Sequence, residues 1–302
     1  INPKVTETAL YDYAVASING GSVPFGSSAD MLEKFVRRFP DSPYAAKVDE
    51  HLATACYNDG DFAEALRHIE RLKNPTRQAL ESKQKILFRL GVQAMGRKDY
   101  PGAARYMRRA ADMRQDADAS LAAQACLWEG DALYAQAKYS EATAAYAKFE
   151  KYSARQTDNR ALGLYNLAYS LYQEKKFSEA RGKFKKALEA KPALPARLAS
   201  DARMRIADCD YYAGNVTDAM KVYSSLAEDN DNGEADYAAF QHANMLGTTG
   251  DLKGKIKGLE NMLAKWPESR WASDARLELV SALCGDRQTE RAASLASGML
   301  AS

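Results

Sequence analysis

Five short segments of this chain are one pattern written repeatedly: Phe62-Ala63-Glu64-Ala65, Tyr100-Pro101-Gly102-Ala103, Tyr139-Ser140-Glu141-Ala142, Phe177-Ser178-Glu179-Ala180 and Val216-Thr217-Asp218-Ala219. Their closing alanines stand 38, 39, 38 and 39 residues apart. A chain that repeats itself at a fixed period of this length stacks like units side by side and does not wrap one central core. Its business is then to present an extended surface.

Each unit reads as helix, tight turn, helix. Leu164, Leu167, Ala168 and Leu171 form an apolar stripe at helical spacing, Glu174-Lys175-Lys176 makes the turn, and Phe177, Ala180, Phe184 and Ala187 form the second stripe. Pro192 closes the unit beyond the last turn. Leu52-Ala53, Leu90-Gly91, Leu167-Ala168 and Ile206-Ala207 each stand thirteen and twelve residues before an anchoring alanine. A small residue there lets the two helices approach closely.

The apolar share of 46% and charged share of 27% belong to a folded, soluble-type chain. No apolar run approaches the roughly 18 residues that span a bilayer. Charge is uneven. Arg67 to Arg114 holds thirteen basic and four acidic residues, whereas Asp201 to Asp251 holds three basic and ten acidic. Nucleic-acid binding through 67–114 is therefore one reading. It ranks below the simpler reading as charged outer helix faces, because the segment lacks the stacking-aromatic pattern of RNA modules. Cys56, Cys126, Cys209 and Cys284 are widely separated, form no C-x-x-C pair and fall in expected first helices, where a free Cys acts as a small hydrophobe. The chain starts at Ile1, which reads as a processed protein or a piece of a longer one.

The small residue of the first helix, the aromatic opening the second, its alanine three residues on and the closing proline resemble the tetratricopeptide repeat family. The resemblance runs from about Pro43 to Pro267. It implies an all-α, right-handed α-solenoid, here of seven to eight helix–turn–helix units. We expect one solenoid domain over 1–302, with an atypical unit at 1–42, regular repeats over 43–270 and a truncated unit at 271–302. Units of 36–39 residues exceed the family's usual 34, so longer connecting turns are expected. Glu129 stands where an aliphatic residue is usual, and Lys255 replaces an anchoring alanine. At the start, Ser28, Leu32, Phe35, Val36, Phe39 and Pro40 follow the second-helix pattern after a long turn, Asn19 to Pro24. At the other end, Trp271 to Leu283 reads as a first helix and Gln288 to Leu300 as a weak second one. Atypical end units fit an array whose outer faces lack a neighbour.

Arg38-Phe39-Pro40-Asp41-Ser42-Pro43-Tyr44-Ala45 and Lys265-Trp266-Pro267-Glu268-Ser269-Arg270-Trp271-Ala272 share a closing motif. It is similar to repeats of bacterial envelope proteins, including outer-membrane assembly lipoproteins and the cell-division coordinator of the Tol-Pal system. That resemblance implies a periplasmic or outer-membrane-associated place.

The search for chemistry yields no catalytic residue, cofactor or metal. His51, His68 and His242 have no ligand or triad partner at a characteristic spacing. Gly250-Asp251-Leu252-Lys253-Gly254-Lys255 fails as a phosphate loop on spacing and lacks a following Ser or Thr. Asp229 to Glu234 begins like a calcium loop, but its glycine is one place early and Phe240 holds the closing-glutamate position. The chain reads as a non-enzyme.

What remains is aromatic. In tetratricopeptide arrays the first helices line the concave face, the family's usual ligand surface. Tyr165, Tyr169 and Tyr172 share one side of a first helix. The same register brings Tyr134, Tyr211, Tyr212, Tyr237 and Phe240 to that side, with Asp131, Asn166, Asp208 and Asn244 placed to satisfy a ligand backbone. These twelve residues are the candidate groove, and its ligand is a protein or peptide. The alternative is a structural or self-associating segment anchored by Trp266 and Trp271.

Overall fold

The computed structural model describes residues 3–20, 28–72, 74–153, 158–229 and 233–301. Of the expected turns, Gly21 to Pro24 and Asn230 to Asn232 lie outside these. The chain divides into two compact units, 1–153 and 154–302. The first contains α1 (Pro3–Gly20), α2 (Ser28–Arg38), α3 (Ala45–Asn58), α4 (Phe62–Glu70), α5 (Arg77–Gly96), α6 (Tyr100–Asp112), α7 (Ala119–Tyr134) and α8 (Tyr139–Tyr152). The second contains α9 (Arg160–Gln173), α10 (Phe177–Glu189), α11 (Ala196–Tyr212), α12 (Val216–Glu228), α13 (Ala235–Thr248), α14 (Leu252–Lys265), α15 (Ala272–Gly285) and α16 (Thr289–Ala301). No strand occurs among the described residues. Within each unit a helix packs on its neighbours in sequence, and α3 with α5, α5 with α7 and α13 with α15 also touch. This neighbour-only pattern is that of an α-solenoid, as expected. The helix pairs number four in each unit.

A large residue sits sixteen places after each small one: Ala53 and Ile69, Gly91 and Met107, Gly130 and Tyr146, Ala168 and Phe184, Ala207 and Tyr223, Ala243 and Leu259. All twelve are buried. Added to Gly91, a Cβ would come within 2.6 Å of the Met107 methyl, and one on Gly130 would overlap the Tyr146 ring. The first helix therefore offers bare backbone as a seat, and the second sets its largest side chain on it. Close packing of this kind tolerates little change in volume.

The turn inside each pair is equally regular. Gly60, Lys98, Ala137, Lys175, Gly214, Gly250 and Arg287 each stand two places before a second helix, and all have φ between 56° and 90°. The next amide donates to a carbonyl five residues back, as in Asp61 to Cys56, Lys176 to Leu171 and Gln288 to Leu283. That is a Schellman ending with its left-handed residue in place. In three of these turns the same next residue also caps the following helix: Asp61 accepts from the Glu64 amide, Asp99 from Gly102 and Asp251 from Gly254. Three residues thus stop one helix and start another. The expectation of longer turns holds only between pairs, where links such as 71–76, 113–118 and 190–195 take up the extra length. Buried Gln84 fixes one of these links. Its amide donates to the carbonyls of Ala110 and Asp118, 3.0 Å each, and accepts from the Asp118 amide at 2.9 Å.

Both departures from the repeat pattern are accommodated. Buried Glu129 accepts from Arg108 Nε at 2.7 Å, so its charge is paired. Lys255 reaches Glu278 at 2.5 Å, and Gly247 leaves room for its stem. Trp266 and Trp271 pack against the core of α13–α16. Both remain partly exposed.

Two outcomes follow from this geometry. Gly60→Ala and Gly214→Ala have open space around the new methyl, so each should cost only the left-handed backbone penalty, about 1 kcal/mol in urea unfolding. Gly130→Ala should cost more, about 1–3 kcal/mol, because Tyr146 must move. Its damage should appear as lost amide protection confined to α7, α8 and their neighbours; uniform loss would contradict neighbour-only coupling.

Candidate functional site

The tyrosines of the second unit form two systems. Tyr165 and Tyr169 lie one turn apart on α9, with ring centroids 5.0 Å apart, and both meet the Phe184 ring edge-to-face at 5.8 and 5.3 Å. Both hydroxyls donate to Asp201 Oδ2 on α11, at 2.7 and 2.5 Å. Asp201 faces Arg205 at 3.5 Å, and Arg205 in turn pairs with buried Asp208. Asp208 also accepts from Tyr223 and, at 3.2 Å, from Tyr237. The Arg205 guanidinium lies 5.5 Å from the Tyr237 ring centre. Side chains from α9, α11, α12 and α13 are thereby tied into one polar network.

Burial pushes the hydroxyls of Tyr165, Tyr169 and Tyr223 well above the ordinary phenol range, and the neighbouring carboxylates add to this. Burial, then Asp208, takes Tyr237 up to about 12. Burial also raises Asp208, against the pull of Arg205 and its two phenol donors. At neutral pH the tyrosines are uncharged donors to Asp201 and Asp208.

The second system is more open. Tyr172 meets Phe177 edge-on at 5.4 Å, and Phe177 stacks on Tyr212 at 4.6 Å with 18° between planes. Tyr211 meets Tyr212 at 5.5 Å. Tyr212 is 58% exposed and Tyr211 37%.

The candidate list thus separates into groups. Tyr211 and Tyr212 form an exposed aromatic patch, with half-buried Tyr172 beside Tyr212. Tyr165 and Tyr169 are half-buried behind it, and Asn166 is also half-buried on α9. Tyr237, Phe240 and Asp208 need correction as lining of an open face, because all three are buried. Trp271 covers the two rings at 5.0 and 5.9 Å, and Asp208 is taken up by the network. Asn244 is half-buried, with its Oδ1 shielded from solvent and unpartnered. Asp131 and Tyr134 belong to the first unit, where Asp131 accepts from Tyr146 at 2.7 Å and Tyr134 packs edge-on against Tyr139 at 5.2 Å. Tyr57 and Phe62 repeat that last pairing at 5.3 Å. The tyrosine ending a first helix thus braces the aromatic that opens the second.

Asp201, Arg205 and Phe177 were missed. Their signal was available: Asp201, Arg205 and Asp208 at i, i+4 and i+7 draw a polar stripe along the first helix that faces the tyrosines. Cys56, Cys126 and Cys209 are buried free thiols, and burial pushes Cys126 and Cys209 up to about 12. No group of His, Cys, Asp and Glu suited to a metal ion occurs among the described residues. None of the described helices is long and apolar enough to cross a membrane.

Comparison with known proteins agrees with this geometry. Residues 127–195 and 171–243 match two tetratricopeptide repeat families. Residues 3–82 match the YfiO outer membrane lipoprotein family. The chain is similar in structure to a Naa15/Naa10 complex bound to HypK-THB, at TM-score 0.56 and 14% identity over 92% of this chain and 39% of that one. It is also similar to a signal transduction ATPase with a tetratricopeptide repeat sensor from Pyrococcus horikoshii, at TM-score 0.57 and 14% identity over 89% of this chain and 43% of that one. It therefore spans about two fifths of each of those chains. No curated protein sequence gives a significant match. Residues 127–243 thus resemble tetratricopeptide repeats, on an all-helical solenoid fold. The chain's N-terminal part resembles an outer-membrane lipoprotein family.

The phenol network has a pH signature. Its tyrosines have folded pKa values raised above the unfolded value of 10.0, so their stabilisation is complete below that value and is lost as pH climbs past it. Urea midpoints should stay level up to about pH 9 and fall steeply beyond about pH 10. Tyr169→Phe should make the fall shallower. Tyrosinate absorbance appearing in the folded protein near pH 10, in full amplitude, would show that the network is open to solvent.

Proposed function

We propose that this chain is a non-catalytic scaffold that binds a protein or peptide on its first-helix face, within an assembly at a bacterial outer membrane or in the periplasm. The observation that carries the reading is the exposed aromatic pair Tyr211 and Tyr212, flanked by half-buried Tyr172, on a helical support. Tyrosine offers broad apolar area with a hydrogen-bonding tip and little conformational entropy to lose, which suits recognition. Tyr165, Tyr169 and Asn166 stand behind the patch, and the Asp201–Arg205–Asp208 network holds it in shape before a ligand arrives. Tyr134, Asp131 and Asn244 are secondary candidates for contact. The envelope part of the reading rests on the match of residues 3–82 to an outer-membrane lipoprotein family and on the shared Phe39–Pro40 and Trp266–Pro267 endings.

Nucleic-acid binding through 67–114 gains little support. Arg67, Arg71, Arg77, Lys83, Arg108 and Arg109, six of the thirteen basic residues there, face carboxylates of this same chain, which weakens the field that a phosphate backbone would meet. For self-association, the sedimentation of the isolated chain decides.

The test is a pull-down from an envelope extract, followed by affinity measurement with the captured partner. Tyr211→Ala with Tyr212→Ala should leave the helical signal and melting temperature near those of the parent, since neither ring is buried. Binding should weaken by about 2 kcal/mol or more if they are hot spots. Unchanged affinity in the folded double variant would remove the patch from the function.

A further inference from the structure

The outer face of α15 and α16 carries, uncovered, the positions by which one helix pair joins the next inside each unit. Fifteen residues before the anchoring positions Ala103, Ala180, Ala219, Lys255 and Ala292 stand Phe88, Tyr165, Met204, Phe240 and Leu277. Phe88 meets Trp128 of α7, Tyr165 donates to Asp201 of α11, and Phe240 stacks on Trp271 at the start of α15. Met204 shares a buried core with Tyr237 and Ala238 of α13. The cover comes each time from the first helix of the following pair or the residue that caps it. Leu277, at the same position, is 59% exposed. The second helices agree. Seven residues after the anchor, Ala110, Ala187, Leu226 and Met262 are buried, whereas Met299 is only half-buried.

Leu277, Ser281 and Cys284 run as one exposed stripe along α15. Beside it, Ser273, Arg276, Ser294, Leu295, Gly298 and Met299 line an open groove of about 540 Å³ between α15 and α16. The outermost unit of a stacked array ordinarily turns a polar face to water. Here Leu277, Leu295 and Met299 stand in that place, and Leu300 adds a further exposed apolar side chain.

The charges indicate what covers this face. Asp274 lies in the first turn of α15 and Arg287 just beyond its last, and both are exposed. Neither has an ion pair among the described residues. The stripe therefore has an acid at one end and a base at the other. A second α15 laid antiparallel brings the Asp274 end of each copy to the Arg287 end of its mate, so both charges are answered twice. Small Ser281, midway between, lets the two helices approach. A surface that holds its own complement in reverse order meets the condition for a two-fold contact. A ligand of one charge would answer only one end.

We infer that two copies of this chain pair through their α15–α16 faces across a two-fold axis, with the α15 helices antiparallel and each groove covered by the other copy. The contact shares no residue with the tyrosine patch and stands whether or not the patch binds anything.

The experiment is sedimentation equilibrium of the full chain over a range of concentrations. The parent should pass reversibly from monomer to dimer and no further. Leu277→Arg should weaken the dimer about tenfold or more. Asp274→Arg and Arg287→Asp should each weaken it too, by setting like charges together. Combined, those two reversals recreate the complement in the opposite sense and should recover most of the affinity. The helical signal verifies that every variant is folded. A short bis-maleimide should join two copies through Cys284, the exposed one among four free cysteines, and Cys284→Ser should abolish that product. Tyr211→Ala with Tyr212→Ala should leave the equilibrium unchanged, which separates this contact from the patch. A monomer at the highest concentrations reached would overturn the inference, as would growth beyond the dimer into open chains. A double reversal no better than its single variants, or a dimer that Leu277→Arg leaves intact, would do the same.

Discussion

Everything regular in this protein depends on one contact, a large side chain of the second helix seated on nearly bare backbone of the first. Gly91 under Met107 and Gly130 under Tyr146 show the requirement at its strictest, because even a methyl group there meets occupied space. Where the seat is alanine, the guest is Ile69, Phe184, Tyr223 or Leu259. Seat and guest keep one spacing of sixteen residues and stay buried while the residues change. That constancy lets successive pairs stack on one another in register within each unit.

The polar chemistry grows from the same contact. When the guest is a tyrosine, its hydroxyl must find an acceptor in the interior. The residue after the seat supplies it, Asp131 for Tyr146 and Asp208 for Tyr223. When the guest is Phe184, the residue after the seat is Tyr169, which turns outward to Asp201 instead. Asn244, beside Ala243, keeps the polar residue, but the guest there is Leu259 and brings no proton. Its Oδ1 accordingly has no partner. Asp131, Asp208 and Asn244 are thus one structural position whose role changes with the residue sixteen places on.

This explains how the sequence could disclose the fold more fully than the site. Period, seat and opening aromatic are local in sequence, and Phe62, Tyr100, Tyr139 and Phe177 announce the second helices directly. The left-handed turn residue was hidden at Lys98, Ala137, Lys175 and Arg287, since only Gly60, Gly214 and Gly250 advertise that conformation by residue type. Helical spacing correctly brought Tyr165, Tyr169 and Tyr172 to one side of α9. It could not show that Asp201 and Arg205 reach across from α11, nor that Trp271 closes over Tyr237 and Phe240. Exposure depends on the neighbouring helix, and a pattern read along one helix does not contain it.

The doubled role of Asp61, Asp99 and Asp251 bears on how the chain reaches its structure. One residue ends a helix and begins the next, so each antiparallel pair closes through a loop of only a few residues. The next partner is always the adjacent helix, and no segment of a unit waits for a distant one. Barriers to folding grow with the sequence distance that must be closed before contacts repay it, and here that distance stays small throughout. Such a chain can settle pair by pair as it leaves the ribosome, each finished pair giving the next a template.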